Sequence, residues 1–207
     1  MIGLSDRIDI TPRETTSVGN LEHVAIPVSR PGTLTAADVH VDGETITVVS
    51  VYGGWERSAD PGRTLYADAA AHRLLSDLSS LITHPERHQL IVAGDLNILH
   101  RYGERGDPYW AARYTSVFDR AAALGLEFVG PQAPHGRQAH PRPAELPAGS
   151  RDVPTFHTPS QGPAGATRQL DFVFASVSVA DRVRVRALNE VAAWGPSDHC
   201  RISIELE

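Results

Sequence analysis

The sequence contains no lysine, and all 19 of its basic residues are arginine. A fixed cation that touches phosphate therefore has to be arginine, protonated histidine or a metal, and Schiff-base catalysis by lysine is excluded. The single cysteine, Cys200, excludes an internal disulfide. No apolar run approaches the ~20 residues of a membrane span, and the first residues do not resemble a signal peptide. We therefore expect a cytoplasmic protein that does not bind a membrane.

Acidic residues outnumber basic ones, which gives a net charge of −6. The chain thus has no overall basic field with which to hold nucleic acid non-specifically, although a local basic groove is compatible with this balance. The length is sufficient for one globular domain with a sizeable core, and no repeat or linker divides it. We therefore expect residues 1–207 to form a single domain.

Eight segments are rich in β-forming residues, and two have helical periodicity. The predicted strands are residues 23–28, 35–41, 45–52, 89–93, 127–130, 169–176, 183–188 and 201–206. The first predicted helix has an apolar face that includes Leu74 and Leu78, and Pro85 ends it. The second begins with Asp107 as N-cap and ends near Gly125. This mixture of elements predicts an α/β (α+β) layered sandwich.

Two connections stand out between these elements. Asp42-Gly43 lies between β-forming runs and predicts a tight hairpin. Residues 131–150 form a long segment rich in proline and glycine that also carries Arg137 and Arg142. A long loop in a compact domain is usually functional or disordered. It is therefore expected either to border the active site and attract phosphate, or to be a solvated segment without effect on the substrate.

The motif Gly94-Asp95-Leu96-Asn97 follows an apolar strand. Residues two apart in an extended segment point the same way, so Asp95 and Asn97 are expected to face one pocket. A carboxylate there can bind a hard cation or accept a proton from water, and an amide can donate to a phosphate oxygen. The alternative is a capped turn, since Asp and Asn both favour turns.

The motif Ser197-Asp198-His199 lies in a turn before the last predicted strand. Neighbouring residues of a regular strand point to opposite faces, but Gly195 and Pro196 allow the backbone to bend so that both side chains serve one site. A carboxylate beside an imidazole suits a metal ligand together with a general acid or base. The alternative is a surface histidine in a loop.

Two further residues stand in places that need an explanation. Asp171 is a charge inside an otherwise apolar strand, and such a group is costly to bury without a partner. Its natural partner is a histidine, whose tautomer it would fix, and we expect that histidine to be His199. Tyr52 ends a strand before two glycines, where its phenol would either bind a phosphate oxygen or cover the core.

In this order the motifs resemble the endonuclease/exonuclease/phosphatase superfamily, which includes DNase I and exonuclease III. The resemblance is carried by Val51-Tyr52, Gly94-Asp95-Leu96-Asn97, Thr155-Phe156-His157, the segment from Arg168 to Phe174, and Ser197-Asp198-His199. It implies a four-layer sandwich of two mainly antiparallel β-sheets packed face to face, with helices outside. It also implies a divalent metal, usually Mg²⁺.

The resemblance also implies roles for individual residues. Asp198 is expected to bind the metal, with Asp95 and Asn97 nearby as further ligands. Asp95 would also orient or deprotonate the attacking water, and Asn97 would hold the scissile phosphate. His199, with Asp171 behind it, would contact the same phosphate and stabilise the transition state. Tyr52 and Arg168 are expected to bind the substrate.

Members of the superfamily carry a metal-binding glutamate in an N-terminal strand–helix–strand unit, and this sequence offers no clear counterpart. Glu14 and Glu22 both lack the preceding apolar strand. We therefore expect the first unit to be absent, and a partner strand or a dimer to fill the gap. Mg²⁺ or Mn²⁺ is expected to bind weakly, because the glutamate that would share the ion with Asp198 is missing.

The leading prediction is a metal-dependent phosphodiesterase or nuclease. Two alternatives remain open on the sequence: a phosphomonoesterase for a small phosphorylated ligand, and an impaired accessory domain that kept the fold. A zinc hydrolase is disfavoured because the histidines and the single cysteine lack zinc-ligand spacing.

Overall fold

The computed structural model describes residues 8–20, 24–54, 56–57, 64–65, 67–82 and 88–207. Two α-helices occur in this part of the chain, α1 (Ala67–Leu78) and α2 (Pro108–Ala123). The strands are β1 (Ile8–Arg13), β2 (Thr15–Ser17), β3 (Ile26–Val28), β4 (Leu34–Val41), β5 (Glu44–Tyr52), β6 (Glu56–Arg57), β7 (Thr64–Leu65), β8 (Leu90–Asp95), β9 (Leu126–Gly130), β10 (Asp171–Ser176), β11 (Val183–Ala187) and β12 (Ile202–Leu206).

Six strands form a mixed sheet in the order β1-β4-β5-β8-β10-β9. All neighbours in it are antiparallel except β5 and β8, which run parallel. β11 and β12 form a second, antiparallel pair. Short pairs of β2 with β3 and of β6 with β7 complete the described sheet structure. Because β5 and β8 are parallel, their carboxyl ends meet at one edge of the large sheet.

The central strands of the large sheet are buried on both faces. On one face Val49, Val92 and Phe172 pack into a cluster with residues of α1 and α2. On the other face Ile91 and Val173 pack into a second cluster with β11 and β12. Alternate residues of a strand point to opposite faces, so central strands with two buried faces read as continuous apolar runs. Helices, the large sheet and the two-stranded sheet thus form stacked layers.

Each of the eight predicted strands overlaps a strand of the structure, and the predicted packing of two sheets face to face is confirmed. Residue 23 and residues 83–87, among them Pro85, lie outside the described residues. α2 begins as predicted, with the Asp107 side chain accepting a hydrogen bond from the backbone N–H of Tyr109. No helix in the described ranges is long and apolar enough to cross a membrane.

Four strands of the structure, β1, β2, β6 and β7, were not predicted from the sequence. β1 lies at the edge of the large sheet and is mostly exposed, and Pro12 interrupts its short alternation of apolar and polar residues. β2 has three residues, and β6 and β7 have two each, which is too short for a periodic pattern. The predicted hairpin at Asp42-Gly43 is present between β4 and β5, with φ of 48° and 85° at these two residues.

Gly94 is where the strand pair β5–β8 requires a glycine. Its φ is 157°, and a Cβ atom built there would lie 1.8 Å from the carbonyl oxygen of Val51, in the neighbouring strand. A side chain at this position would therefore push β5 away from β8 just before Asp95. The requirement for glycine at the first position of the Gly-Asp-x-Asn motif is therefore steric.

We expect Gly94→Ala to lower the free energy of unfolding by about 3 kcal/mol or more, because the contact is with a backbone atom that cannot move without breaking the sheet. The matched control is Gly43→Ala, at a glycine whose φ is also positive, 85°, with no atom within 4 Å of the added Cβ. It should cost only roughly 1–2 kcal/mol, the penalty of the left-handed conformation. Urea denaturation measures both, and equal losses would contradict the steric explanation.

Candidate active site

Three side chains form a row at the carboxyl edge of the large sheet. Tyr52 of β5 pairs with Asp95 of β8, and Asp95 pairs with Asp171 of β10. Asp95 lies two residues beyond Ala93, and Asp171 two before Val173, and both of those side chains pack toward β11 and β12. The two carboxylates therefore project on that same face. The register of three strands thus brings together residues that are distant in sequence.

His199 reaches this row from the turn before β12. Gly195 has a φ of 90°, and the N–H of His199 donates to Ser197 Oγ over 3.1 Å, so the backbone bends as the sequence predicts. His157 N–H donates to the carbonyl oxygen of Asp198, and Phe156 forms an isolated bridge with His199. These backbone contacts fix the turn against the 155–157 segment.

The imidazole of His199 lies between two carboxylates. Its Nδ1 is 2.7 Å from Asp171 Oδ2, and its Nε2 is 3.9 Å from Asp95 Oδ2. The predicted contact between His199 and Asp171 is therefore present. Because the carboxylate accepts at Nδ1, that nitrogen carries a proton, and Nε2 faces the pocket side near Asp95.

Asp95 is held by Asn97. The Asn97 backbone N–H donates to Asp95 Oδ1 over 2.8 Å, and its Nδ2 donates to Asp95 Oδ2 over 2.8 Å and to the Gly53 carbonyl over 3.1 Å. Asn97 also has a positive φ of 53°, which asparagine tolerates better than most residues. In this structure Asn97 therefore positions Asp95. Its expected contact with phosphate stays a prediction.

The proximity of these groups shifts their pKa values. Burial, and next the negative charge of Asp171, raise the pKa of Asp95 to about 6, against the opposing effect of hydrogen bonds from Asn97 and of His199. Burial alone would lower the pKa of His199, but its hydrogen bond to Asp171 and the charges of the surrounding aspartates raise it. His199 is therefore favoured as a cation near neutral pH, while Asp95 is a base with a pKa suited to accept a proton.

Two neighbours of the site have no role in the sequence-based assignment. Thr155 is fully buried, and its Oγ1 accepts hydrogen bonds from the backbone N–H groups of Leu170 and Asp171. The ring of Phe156 lies 5.0 Å from the ring of His199 and closes one side of the pocket. Thr155 thus fixes the start of β10, and Phe156 confines the imidazole. The Thr155-Phe156-His157 match to the superfamily was the available signal for both.

The remaining predicted residues lie at different depths. A pocket of about 470 Å³ is lined by Tyr52, Asp95, Asn97, Phe156, Asp171, Ser197, Asp198 and His199. Within it Tyr52 is 53% exposed and Asp198 is exposed at the rim. Arg168 lines a neighbouring groove and forms two hydrogen bonds with Glu104, at 3.2 and 2.9 Å. Its predicted contact with substrate is not part of this pocket and stays a prediction.

The donor set of the pocket suits a hard divalent cation. In the described part of the chain, ligand atoms of Asp95, Asp171 and His199 lie within 4.8 Å of one another. Asp198, the ligand implied by the superfamily resemblance, is outside this cluster but lines the same pocket. Carboxylate oxygens are preferred by Mg²⁺, and a nearby imidazole favours Mn²⁺ further. A bound cation would also favour the ionised form of Asp95, whose pKa is raised first by burial and then by the charge of Asp171.

No protein-family model and no curated protein sequence matches this chain. Among solved structures, the endonuclease domain of TRAS1, a telomere-specific non-LTR retrotransposon, is 18% identical with a TM-score of 0.55; the match covers 96% of this chain and 80% of that one. The AP endonuclease LMAP from Leishmania major is 17% identical with a TM-score of 0.55 and coverages of 97% and 61%. This chain has the DNase I-like fold.

An AP endonuclease from Archaeoglobus fulgidus has the same DNase I-like fold, with 18% identity and a TM-score of 0.51. The match covers 83% of this chain and 65% of the archaeal one. This chain therefore spans less than two thirds of both AP endonucleases. At these identities the similarity establishes the fold, and the activity has to be argued from the site.

A ¹³C NMR titration of the aspartate carboxyl groups in EDTA should give Asp95 a pKa of about 6. Asp171→Asn should lower this pKa, because it removes the neighbouring negative charge. His199→Gln should raise it, because it removes a cation that favours the carboxylate. An Asp95 pKa near 4, the usual value for aspartate, in all three proteins would contradict the proposed burial and charge coupling.

Proposed function

We propose that this chain is a metal-dependent phosphodiesterase that cleaves nucleic acid. The observation that carries the proposal is the Asp171–His199–Asp95 cluster at the carboxyl edge of a DNase I-like sheet. Nucleic acid is favoured as substrate because the solved structures that share the fold include an endonuclease domain and two AP endonucleases.

The cluster provides both an acid and a base for hydrolysis. Asp95 Oδ2 accepts a proton from a water whose oxygen attacks phosphorus, while the bond from phosphorus to the leaving oxygen breaks and the leaving oxygen takes a proton from solvent. The Nε2–H of protonated His199 donates to a phosphate oxygen as negative charge develops there. Asp171 keeps Nδ1 protonated and stabilises the imidazolium, as the orienting carboxylate of a triad does.

A divalent cation, when bound, would neutralise phosphate charge and favour the attacking water. This contribution is needed because the pocket contains three aspartates, Asp95, Asp171 and Asp198, beside a single histidine. A phosphodiester anion would otherwise meet net negative charge. The three aspartates are therefore the residues that would hold the ion, with Mg²⁺ or Mn²⁺ as the candidates, because protonated His199 has no lone pair for a metal.

We retain the cytoplasmic location and the partner strand or dimer as proposals. For the latter, β12 pairs with β11, and its other edge has no partner among the described strands. Sedimentation of the full chain at several concentrations tests self-association.

We expect His199→Ala to lower the rate of cleavage of a fluorescent DNA or RNA oligonucleotide by roughly 10²–10⁴-fold, because it removes the positioned acid. Asp95→Asn should cause a loss in the same range, since the amide cannot accept the proton. His140→Ala, at an exposed histidine outside the pocket, is the matched control and should keep its activity.

Activity that is equal in His199→Ala and the parent protein would overturn the mechanism. Metal-dependent release of phosphate from a monoester, with no cleavage of either oligonucleotide, would reject the diesterase in favour of a monoesterase. A folded protein with neither activity and no metal uptake would be an accessory domain.

Measurements of metal affinity distinguish two candidate sites for the ion: Asp198, the ligand implied by the superfamily resemblance, and the Asp95–Asp171–His199 cluster. Mn²⁺ affinity, measured by electron paramagnetic resonance, should fall at least tenfold in Asp171→Asn if the Asp95–Asp171–His199 cluster holds the ion. It should fall mainly in Asp198→Asn if the rim carboxylate does. Asp119→Asn, an exposed aspartate outside the pocket, is the control. Unchanged affinity in both test variants would exclude this pocket as the metal site.

A further inference from the structure

A second cavity lies away from the candidate active site. It has a volume of about 530 Å³ and is bounded by α2, by the segment after β8 and by the end of the long loop, residues 147–152. None of its lining residues lines the active-site pocket. Pockets of roughly 300–1,000 Å³ commonly hold small organic ligands.

A buried, hydrogen-bonded pair of side chains forms the inner wall of this cavity. His100 Nδ1 is 2.9 Å from Asp152 Oδ1, and the two side chains are only 7% and 5% exposed. The other carboxylate oxygen of the pair, Asp152 Oδ2, is buried and has no hydrogen-bond partner. An unpaired buried carboxylate oxygen costs free energy, so the position calls for a donor. That donor has to be either water or an N–H or O–H group of a ligand.

The side wall of the cavity is aromatic. Phe118 of α2 and Phe128 of β9 line it, and the ring centroid of each lies 4.8 Å from that of His100. These three residues come from separate elements and enclose a surface suited to a flat ring. An N–H group on the edge of such a ring would be in a position to donate to Asp152.

Two arginine side chains lie at the mouth of the cavity. Arg101 and Arg151 line it and are both exposed, and Asp119 is the exposed acidic residue on the same rim. Arg151 uses its Nε and Nη2 to bind the carbonyl oxygen of Ala133, which holds its guanidinium in place. Two guanidinium groups favour a phosphate, which arginine binds with paired hydrogen bonds.

We propose that this cavity binds a nucleoside monophosphate. The base lies against His100, Phe118 and Phe128 and donates an N–H to Asp152 Oδ2, and the phosphate is bound by Arg101 and Arg151. The site does not depend on the proposed nuclease activity, because it shares no residue with the active-site pocket.

The test is calorimetric titration of the full chain, in EDTA and in a His199→Ala background, with AMP, GMP, CMP and UMP in turn. At least one should bind saturably with a stoichiometry of one. Because a hydrogen bond to a charged group is lost, Asp152→Asn should weaken binding at least tenfold. This variant keeps an oxygen for the contact with His100. The nucleoside without phosphate should also bind at least tenfold more weakly.

A second pair of variants tests occupancy of the cavity without touching its polar groups. Ala122→Leu places a larger side chain in the lining from α2 and should abolish binding. Ala112→Leu, at an exposed position of the same helix outside the lining, is its control and should bind normally. Asp119→Asn should bind at least as well as the parent, because it removes an acidic group from the rim.

The proposal fails if no nucleotide binds saturably at millimolar concentration. In that case water alone fills the cavity, and the contact between His100 and Asp152 only anchors the loop. It also fails if binding is unchanged in both Asp152→Asn and Ala122→Leu. Should Asp152→Asn not fold, the Ala122 and Ala112 variants decide. Loss of nuclease activity in His199→Ala together with normal nucleotide binding separates this site from the proposed function.

Discussion

The parallel pairing of β5 with β8 is the constraint on which the site depends. It brings the backbone at Gly94 so close to Val51 that only glycine is accommodated, and one residue later it sets Asp95 beside Tyr52. The antiparallel pairing of β8 with β10 then adds Asp171 to the same row. A shift of either register by one residue would turn a carboxylate from the site toward the helices. Fold stability and site geometry therefore have a common cause.

The same packing that positions the acidic row also isolates it from water. Asp95 and Asp171 have side chains that are each 13% exposed, and His199 lies between them at 25%. Charges at this depth interact more strongly than on the surface. Burial first, and the charge of Asp171 second, therefore raise the pKa of Asp95 even though His199 lies nearby. Asn97 and Thr155 hold this arrangement through backbone and side-chain hydrogen bonds.

Much of the fold was predictable because the central strands are apolar on both faces and the helix signals are local. The contact of His199 with Asp171 was predictable too, because a charge within an apolar strand needs a partner. The edge strand β1 was not, since it is exposed and interrupted by Pro12. The amide orientation of Asn97, the pairing of Arg168 with Glu104 and the depth of Asp198 depend on tertiary geometry, and no sequence spacing encodes them.

The long loop after β9 illustrates why charge counts alone mislead about function. Arg137, part of its predicted phosphate-attracting cluster, donates from Nε to the carbonyl of Asn189 and from Nη2 to that of Pro163. Asn189 is fully buried and in turn bonds the Arg137 backbone through both ends of its amide. This arginine therefore fixes the loop against the segment before β12. Arg151, just after this loop, lines instead the cavity whose inner wall contains Asp152. The charge of an arginine in a loop therefore does not by itself show whether the residue binds a ligand or holds the backbone in place.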